Sequence, residues 1–354
     1  MKFNDMNSLT CIALIILTFC SSIAFAQDTP SLEFRIENFA VSPQSLPPLI
    51  VRIANNGDEP IEGVLTPELP DEWEWSPSSV EAMIASGEVE FVRFTITRGK
   101  PNATNRYPVT LTWQGTDGVE LTHQQDVYCA SAPYFKPTID GLIDDWEDAI
   151  PVTFGEEGDK TTIATFWNRR SFSLMVEVEE ASLTVPSEED DGTPYDAIQF
   201  AIAPRLSEGG SSGRYEYLAV PKGEGQGECR FLTGPDDASN DGSTATDWQA
   251  CPMVDADVAV ARTDRGTTVY ELSISFRDMS LIRPSEGREF YFSLLVHDAD
   301  SQSAPRDWGV AAGLSDSERS WDGWQRWNGD AWPDDPFQPP TDSRTLWGMC
   351  SSKY

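Results

Sequence analysis

Apolar residues in this chain recur at every second position over short runs, and turn residues separate the runs. Leu32-Glu-Phe34-Arg-Ile36 and Leu49-Ile-Val51-Arg-Ile53 alternate in this way, as do Glu90–Ile96 and Tyr107–Trp113. A period of two places one set of side chains on one face of an extended strand. Asn55-Asn56-Gly57-Asp58-Glu59-Pro60 and Gly115-Thr-Asp-Gly118 supply turns, and Val119–Val127 returns after the second. Strands with one apolar face must stack two layers deep to bury it, so residues 31–130 are expected to form a β-sandwich.

Residues 131–136 read as a short linker, and a second all-β domain is expected over 137–352. Its strand-like runs include Thr162–Trp167, Phe172–Val178, Tyr195–Ile202, Arg214–Val220, Val258–Arg262, Thr268–Phe276 and Phe290–Val296. No long amphipathic helix interrupts them. The fold class expected is therefore all-β, with two β-sandwich domains.

The first residues read as an export signal, 1–26. Lys2 precedes the apolar run Cys11–Phe19, and Ala24-Phe25-Ala26 offers a small-x-small cleavage site. The run is shorter than the roughly 20 residues a bilayer requires, and no membrane span is expected elsewhere. A secreted location, extracellular or periplasmic, follows. Against 25 Lys+Arg stand 58 Asp+Glu, a net charge of −33. That field repels nucleic acid and anionic membranes and tolerates neutral ligands and divalent cations. Export makes disulfides the default for the four cysteines left after cleavage. Of three pairings, Cys229–Cys251 would staple a polar loop, and Cys129–Cys350 would join the ends of the second domain. No Cys-x-x-Cys supports a zinc or redox site.

Trp321, Trp324, Trp327 and Trp332 crowd one short polar stretch, with Asp322, Gln325, Arg326 and Asn328 between them. Indole faces beside polar groups suit sugar rings and their hydroxyls. A lid docked on a sandwich would use the same residues, and both readings stand at this level. Trp146, Trp167 and Trp347 lie in apolar patterns and are expected in the core.

The order of marks over 137–352 resembles carbohydrate-binding module family 9. The marks are Ile139-Asp140-Gly141 with Asp144 and Trp146, the strand ending at Trp167, and Tyr195-Asp196-Ala-Ile-Gln-Phe. They continue with Tyr270-Glu271, Leu295-Val296-His297-Asp298-Ala299-Asp300 and Leu346-Trp347-Gly348. The preceding residues, Asn55–Thr66 and Leu69-Pro-Asp-Glu-Trp73, resemble immunoglobulin-like domains that flank sugar-active modules. The resemblance implies a sandwich that binds a polysaccharide or oligosaccharide, often at chain ends between two tryptophans, and structural calcium in some members. Carried over, the family's strand glutamate falls on Gln199, its ligand arginine near Glu216, and its leading aromatic near Thr193, with Tyr195 the closest ring. The second tryptophan falls at Trp321 or Trp324. The glycan-binding set is then Trp321, Trp324, Trp327, Arg326, Asn328, Gln199 and Tyr195.

Catalysis finds no motif. With 58 acids, a carboxylate pair at glycosidase separation carries no information. His123 and His297 are the only histidines, too few for a convincing Ser-His-Asp arrangement. The acidic segments Glu188–Gly192, Asp298/Asp300 and Asp334/Asp335 offer oxygen to calcium, but none completes an EF-hand loop, and solvated acid is favoured. The expectation is a non-catalytic carbohydrate-binding protein with no cofactor beyond structural calcium. A ligand-free structural or adhesion protein and a glycoside hydrolase or its accessory subunit are the alternatives.

Overall fold

The structure, a computed structural model, describes residues 32–155, 157–187, 194–205, 215–223, 225–234, 249, 251–300, 306–308 and 345–353. The signal segment, the acidic segments Glu188–Gly192 and Asp334/Asp335, and the stretch Trp321–Trp332 lie outside the described residues.

Alternation in the first part becomes two four-stranded sheets. β1 (Leu32–Ile36), β2 (Pro48–Asn55), β6 (Val89–Arg98) and β4 (Glu74–Ser76) form one in the order β1-β2-β6-β4. β5 (Val80–Ile84), β3 (Ile61–Glu68), β7 (Arg106–Gly115) and β8 (Glu120–Tyr128) form the other in the order β5-β3-β7-β8. On β6, Val92, Phe94 and Ile96 point inward; on β7, Tyr107, Val109, Leu111 and Trp113 do. They meet Leu49, Val51 and Ile53 of β2 in one core, each such side chain contributing about 1.5–3 kcal/mol by leaving water.

The second part is one twelve-stranded sheet folded over on itself. In chain order it holds β9 (Ser131–Ala132), β10 (Val152–Phe154), β11 (Thr161–Trp167), β12 (Ser171–Glu179), β13 (Ala197–Pro204) and β14 (Tyr215–Gly223). β15 (Gln226–Thr233), β16 (Asp257–Arg262), β17 (Thr267–Ser275), β18 (Glu289–His297), β19 (Arg306–Trp308) and β20 (Thr345–Met349) complete it. The path runs β10-β11-β12-β17-β16-β15-β14-β13-β18-β20-β9, with β19 beside β18. Its corner lies between β15 and β16, which share a single registered pair, Gln226 with Ala259. Across the fold, Leu174, Val176, Leu272 and Ile274 of one half pack with Phe200, Tyr217, Phe292 and Trp347 of the other. β13 is buried on both faces from Ala197 to Ala203, so there the alternation gives way to a continuous apolar run.

Residues 131–136, expected as a linker, take part in the sheet. Ser131 and Ala132 pair in parallel with Gly348 and Met349, while Tyr134 bridges Trp167, so one segment ties both edges of the folded sheet. The same segment joins the two sandwiches. Asn105, in the left-handed region at φ 52°, donates to the carbonyls of Cys129 and Pro151 and accepts from the Cys129 amide. The Gly348 amide donates to Ala130 at 2.9 Å, and a methyl group at Gly348 would run into the Ala40 carbonyl. Backbone cannot give way as a flexible side chain can. Gly348→Ala should therefore cost roughly 1–3 kcal/mol, read as a lower urea midpoint at unchanged slope.

Cys129, Cys229 and Cys350 are buried thiols in this structure. Cys129 and Cys350 share the first sandwich's core cluster, and the Cys350 thiol donates to the Ala132 carbonyl at 3.5 Å. Cys229 faces the second core. The bridge pairing Arg230 with Met253, with Phe231 bonded to Pro252 and Val254 to Cys229, sets Cys251 beyond Phe231's partner rather than opposite Cys229.

Candidate functional site

The marks of the second half converge on one another. Glu271, on β17 and fully buried, receives the Asp140 and Gly141 amides on Oε2 at 2.9 and 2.6 Å and the Trp146 indole on Oε1 at 2.5 Å. Burial pushes its carboxyl up, against these three donors. Trp146 stacks on Phe166 with ring centres 5.0 Å apart. At the other end of the chain, the Trp347 indole donates to Thr165 at 2.8 Å.

Gln199 and Glu216 come together on the outward face of the β14-β13-β18 part of the sheet. Ladder pairing sets Gln199 beside Leu218 and Leu295, Ala201 beside Glu216 and Ser293, and Ala197 beside His297. Directly paired residues share a face. The Gln199 amide donates to Glu216 Oε1 at 2.5 Å, and its Oε1 lies 2.9 Å from His297 Nε2. Burial pushes the imidazole down to about 4, so near neutral pH the ring is uncharged and Nε2 carries the proton it donates to Gln199. Gln199 is 8% exposed and both ends of its amide are engaged; a glycan hydroxyl would have to displace one of these bonds. Tyr195, just ahead of β13, is half-buried against the small cluster of Ala197, Leu218 and Val220.

Trp321, Trp324, Trp327, Arg326 and Asn328 lie outside the described residues, but both ends of the segment that carries them are placed. β19 pairs with β18 at Leu294–Val296, and β20 pairs with it at Glu289–Phe292. The described strands on either side of that segment, β19 and β20, therefore both pair with the strand that carries Ser293, Leu295 and His297.

At the same end of the fold, three carboxylates meet. Glu180 follows β12, Asp196 precedes β13 and Asp298 follows β18; their oxygens lie within 4.8 Å of one another. Asp196 is fixed by the Ala299 amide at 2.7 Å and the Thr184 amide at 2.5 Å. The Glu180 side chain is fully buried, and neither of its oxygens has a hydrogen-bond partner among the described residues. Arg262 stays 3.7 Å from it, donating instead to Thr268 and to the carbonyls of Glu180 and Ala181. Tyr270 lies on the same strand face as Thr268, and its fully buried hydroxyl is also unpartnered among the described residues. Burial, with the charges of Asp196 and Asp298 adding to it, outweighs the opposing pull of the Thr268 hydroxyl and of Arg262 and pushes the Glu180 carboxyl up to about 7. Glu180 and Asp196 are buried and Asp298 half-buried, and like charges so close raise the cost of keeping all three ionised. An all-oxygen set of this kind suits a hard divalent cation such as calcium, with water completing the shell. Sequence reasoning pointed to Asp298 alone; Glu180 and Asp196 joined it only through the fold.

Neither a protein-family model nor a curated protein sequence matches the chain. Among solved structures it is similar to a carbohydrate-binding module family 9 domain from Caldicellulosiruptor kristjanssonii in complex with cellotriose. The identity is 13% and the TM-score 0.34, over 62% of this chain and 93% of that one. The glucose complex of a family 9 module from the same organism gives 13%, 0.34, 62% and 94%. A candidate carbohydrate-binding protein from Bacteroides uniformis gives 10%, 0.35, 62% and 97%. A likeness at these scores assigns no ligand to this chain.

Proposed function

We propose that this chain is a secreted, non-catalytic carbohydrate-binding protein that stacks glycan rings on Trp321 and Trp324, supports polysaccharide degradation, and holds a structural calcium ion at Glu180, Asp196 and Asp298. The observation that carries the reading is one of placement. Gln199, which stands where the resembling family has its strand glutamate, lies on one sheet face beside Glu216, which stands where that family has its ligand arginine. Both attachments of the tryptophan stretch lie on the strand next to that face. Trp327, Arg326 and Asn328 would add ring surface and hydroxyl partners. The two domain units, 31–130 and 137–352, belong to the same reading, as does the Cys129–Cys350 pairing in the oxidised, exported protein.

Calorimetry over a panel of neutral glycans tests it. Trp321→Ala with Trp324→Ala is expected to weaken binding about tenfold or more, since a stacked ring is worth about 1–3 kcal/mol. Binding unchanged in that double variant, or no glycan bound by the wild type, removes the site. A structural or adhesion role is the second reading, and the internal engagement of the Gln199 amide favours it. Under that reading no glycan quenches tryptophan emission.

A further inference from the structure

We infer that a cleft at the opposite end of the folded sheet from the acidic cluster binds an acidic oligosaccharide through its carboxylate or sulfate groups. The assignment takes from the carbohydrate reading only the class of ligand. The cleft, about 630 Å³ in volume, lies in the range of small-ligand sites. Its layout follows from the strand order. On one side Tyr134 and Phe135 run along the end of β11, and next to them the β11–β12 turn displays Arg169 and Arg170. In the middle β12 and β17 present the hydroxyls of Ser171, Ser273 and Ser275, with Ser171 paired to Ser275. On the far side β16 begins, with Asp257 paired to Ser273 and Asp255 just ahead.

Each side is held in place. Tyr134 and Phe135 are 46% and 43% exposed, yet both are braced: Tyr134 edge-on against Trp167 at 4.9 Å, and Phe135 against Phe166 at 5.0 Å. Their backbone is fixed by bonds from Phe135 to the Trp167 carbonyl and from Trp167 to the Pro133 carbonyl, both 3.0 Å. Asn168 closes the turn, its Oδ1 accepting the Arg170 and Ser171 amides and its amide group donating to Ser171. The Arg170 carbonyl accepts from Phe276.

The charges decide the ligand class. Arg52, Arg98, Lys100 and Arg106 of this chain each sit on a carboxylate. Lys136, Arg169 and Arg170 line the cleft exposed and form no ion pair among the described residues, although Asp255 and Asp257 line the same cleft. In a chain of net charge −33, three such cations at one place create a local anion site against the general field. Guanidinium groups match carboxylate and sulfate oxygens in paired bonds. The aspartates across the cleft would repel a bare anion but accept bonds from hydroxyls. Exposed rings beside them suit the apolar face of a sugar. A sugar bearing an acid group satisfies all three sides, with the acid on the arginines, the ring on Tyr134 or Phe135, and hydroxyls toward Asp255 and Asp257.

The test is calorimetry with a galacturonate tetrasaccharide, its methyl ester and a sulfated galactan tetrasaccharide. The methyl ester keeps the sugar and removes the charge. The acid form, the sulfated form or both are expected to bind, the ester at least about tenfold more weakly than the uronate if the uronate binds, because the ester loses the charge-assisted bonds to the guanidinium groups. Arg169→Gln with Arg170→Gln should lose acid binding while leaving the melting temperature in place, because both side chains are exposed at a turn. Trp321→Ala with Trp324→Ala should leave it intact, which separates this cleft from the tryptophan site. Equal affinity for uronate and ester, unchanged acid binding in the arginine variant, or no binding of either acidic sugar overturns the assignment.

Discussion

Glu271→Ala is expected to destabilise the protein by about 3–5 kcal/mol. The carboxylate accepts from two backbone amides and one indole, and truncation strands the Gly141 amide and the Trp146 indole in a buried place. Gly141 is in the left-handed region at φ +83°, a turn that Glu271 pins to β17. Loss of the pin also frees Trp146 from Phe166 and opens the small core they share with Ala164, Met175 and Val269. Glu271→Gln separates this account from a simple volume effect. The amide keeps one acceptor but turns an NH₂ toward a donor, so it too should lose stability, though less. Urea unfolding followed by circular dichroism reads both. A loss below about 1 kcal/mol for the alanine variant would show that the opening turn holds itself.

Much of this was legible in the alternation of the chain, and the reason is local. On β6 and β7 one face meets the core and the other meets water, so burial follows the period of two. Trp146, Trp167 and Trp347 stood in apolar patterns and are buried, at 5%, 5% and 0% exposure. The folded-over sheet was not legible, because its corner depends on one pair, Gln226 with Ala259, between strands that local pattern cannot order. The segment 131–136 looked like a connection because it is short and carries Pro133. Its small residues Ser131 and Ala132 fit beside Gly348, a parallel pairing across more than two hundred residues that no local signal announces. That Glu216 and His297 flank Gln199 was hidden for a similar reason: their polar atoms meet only once three strands lie side by side. Glu180 was hidden by its neighbour Glu179, since one strand-end step decides which of two adjacent glutamates turns inward.

That inward turn sets up the second large effect. Calcium in excess is expected to raise the melting temperature by roughly 10 °C, given about 4 kcal/mol at a thousandfold excess over Kd and about 2–4 °C per kcal/mol for a unit of this size. A chelator should reverse the shift. Glu180, Asp196 and Asp298 gather their oxygens within 4.8 Å, and burial together with the two neighbouring carboxylates pushes the Glu180 carboxyl up further than Thr268 and Arg262 pull it down. The folded chain therefore carries an electrostatic cost that a bound cation removes. Glu180→Gln tests the cause by sign as well as size. It deletes the buried charge, so the calcium-free variant should be more stable than the calcium-free wild type, and it deletes a ligand, so the calcium response should shrink. Magnesium should act more weakly, because it asks for a near-ideal octahedron that three carboxylates from separate strand ends are poorly placed to supply. An equal calcium shift in wild type and Glu180→Gln would move the cation elsewhere. No shift in either would mean that protonation, with the Glu180 carboxyl already pushed up to about 7, relieves the cluster instead.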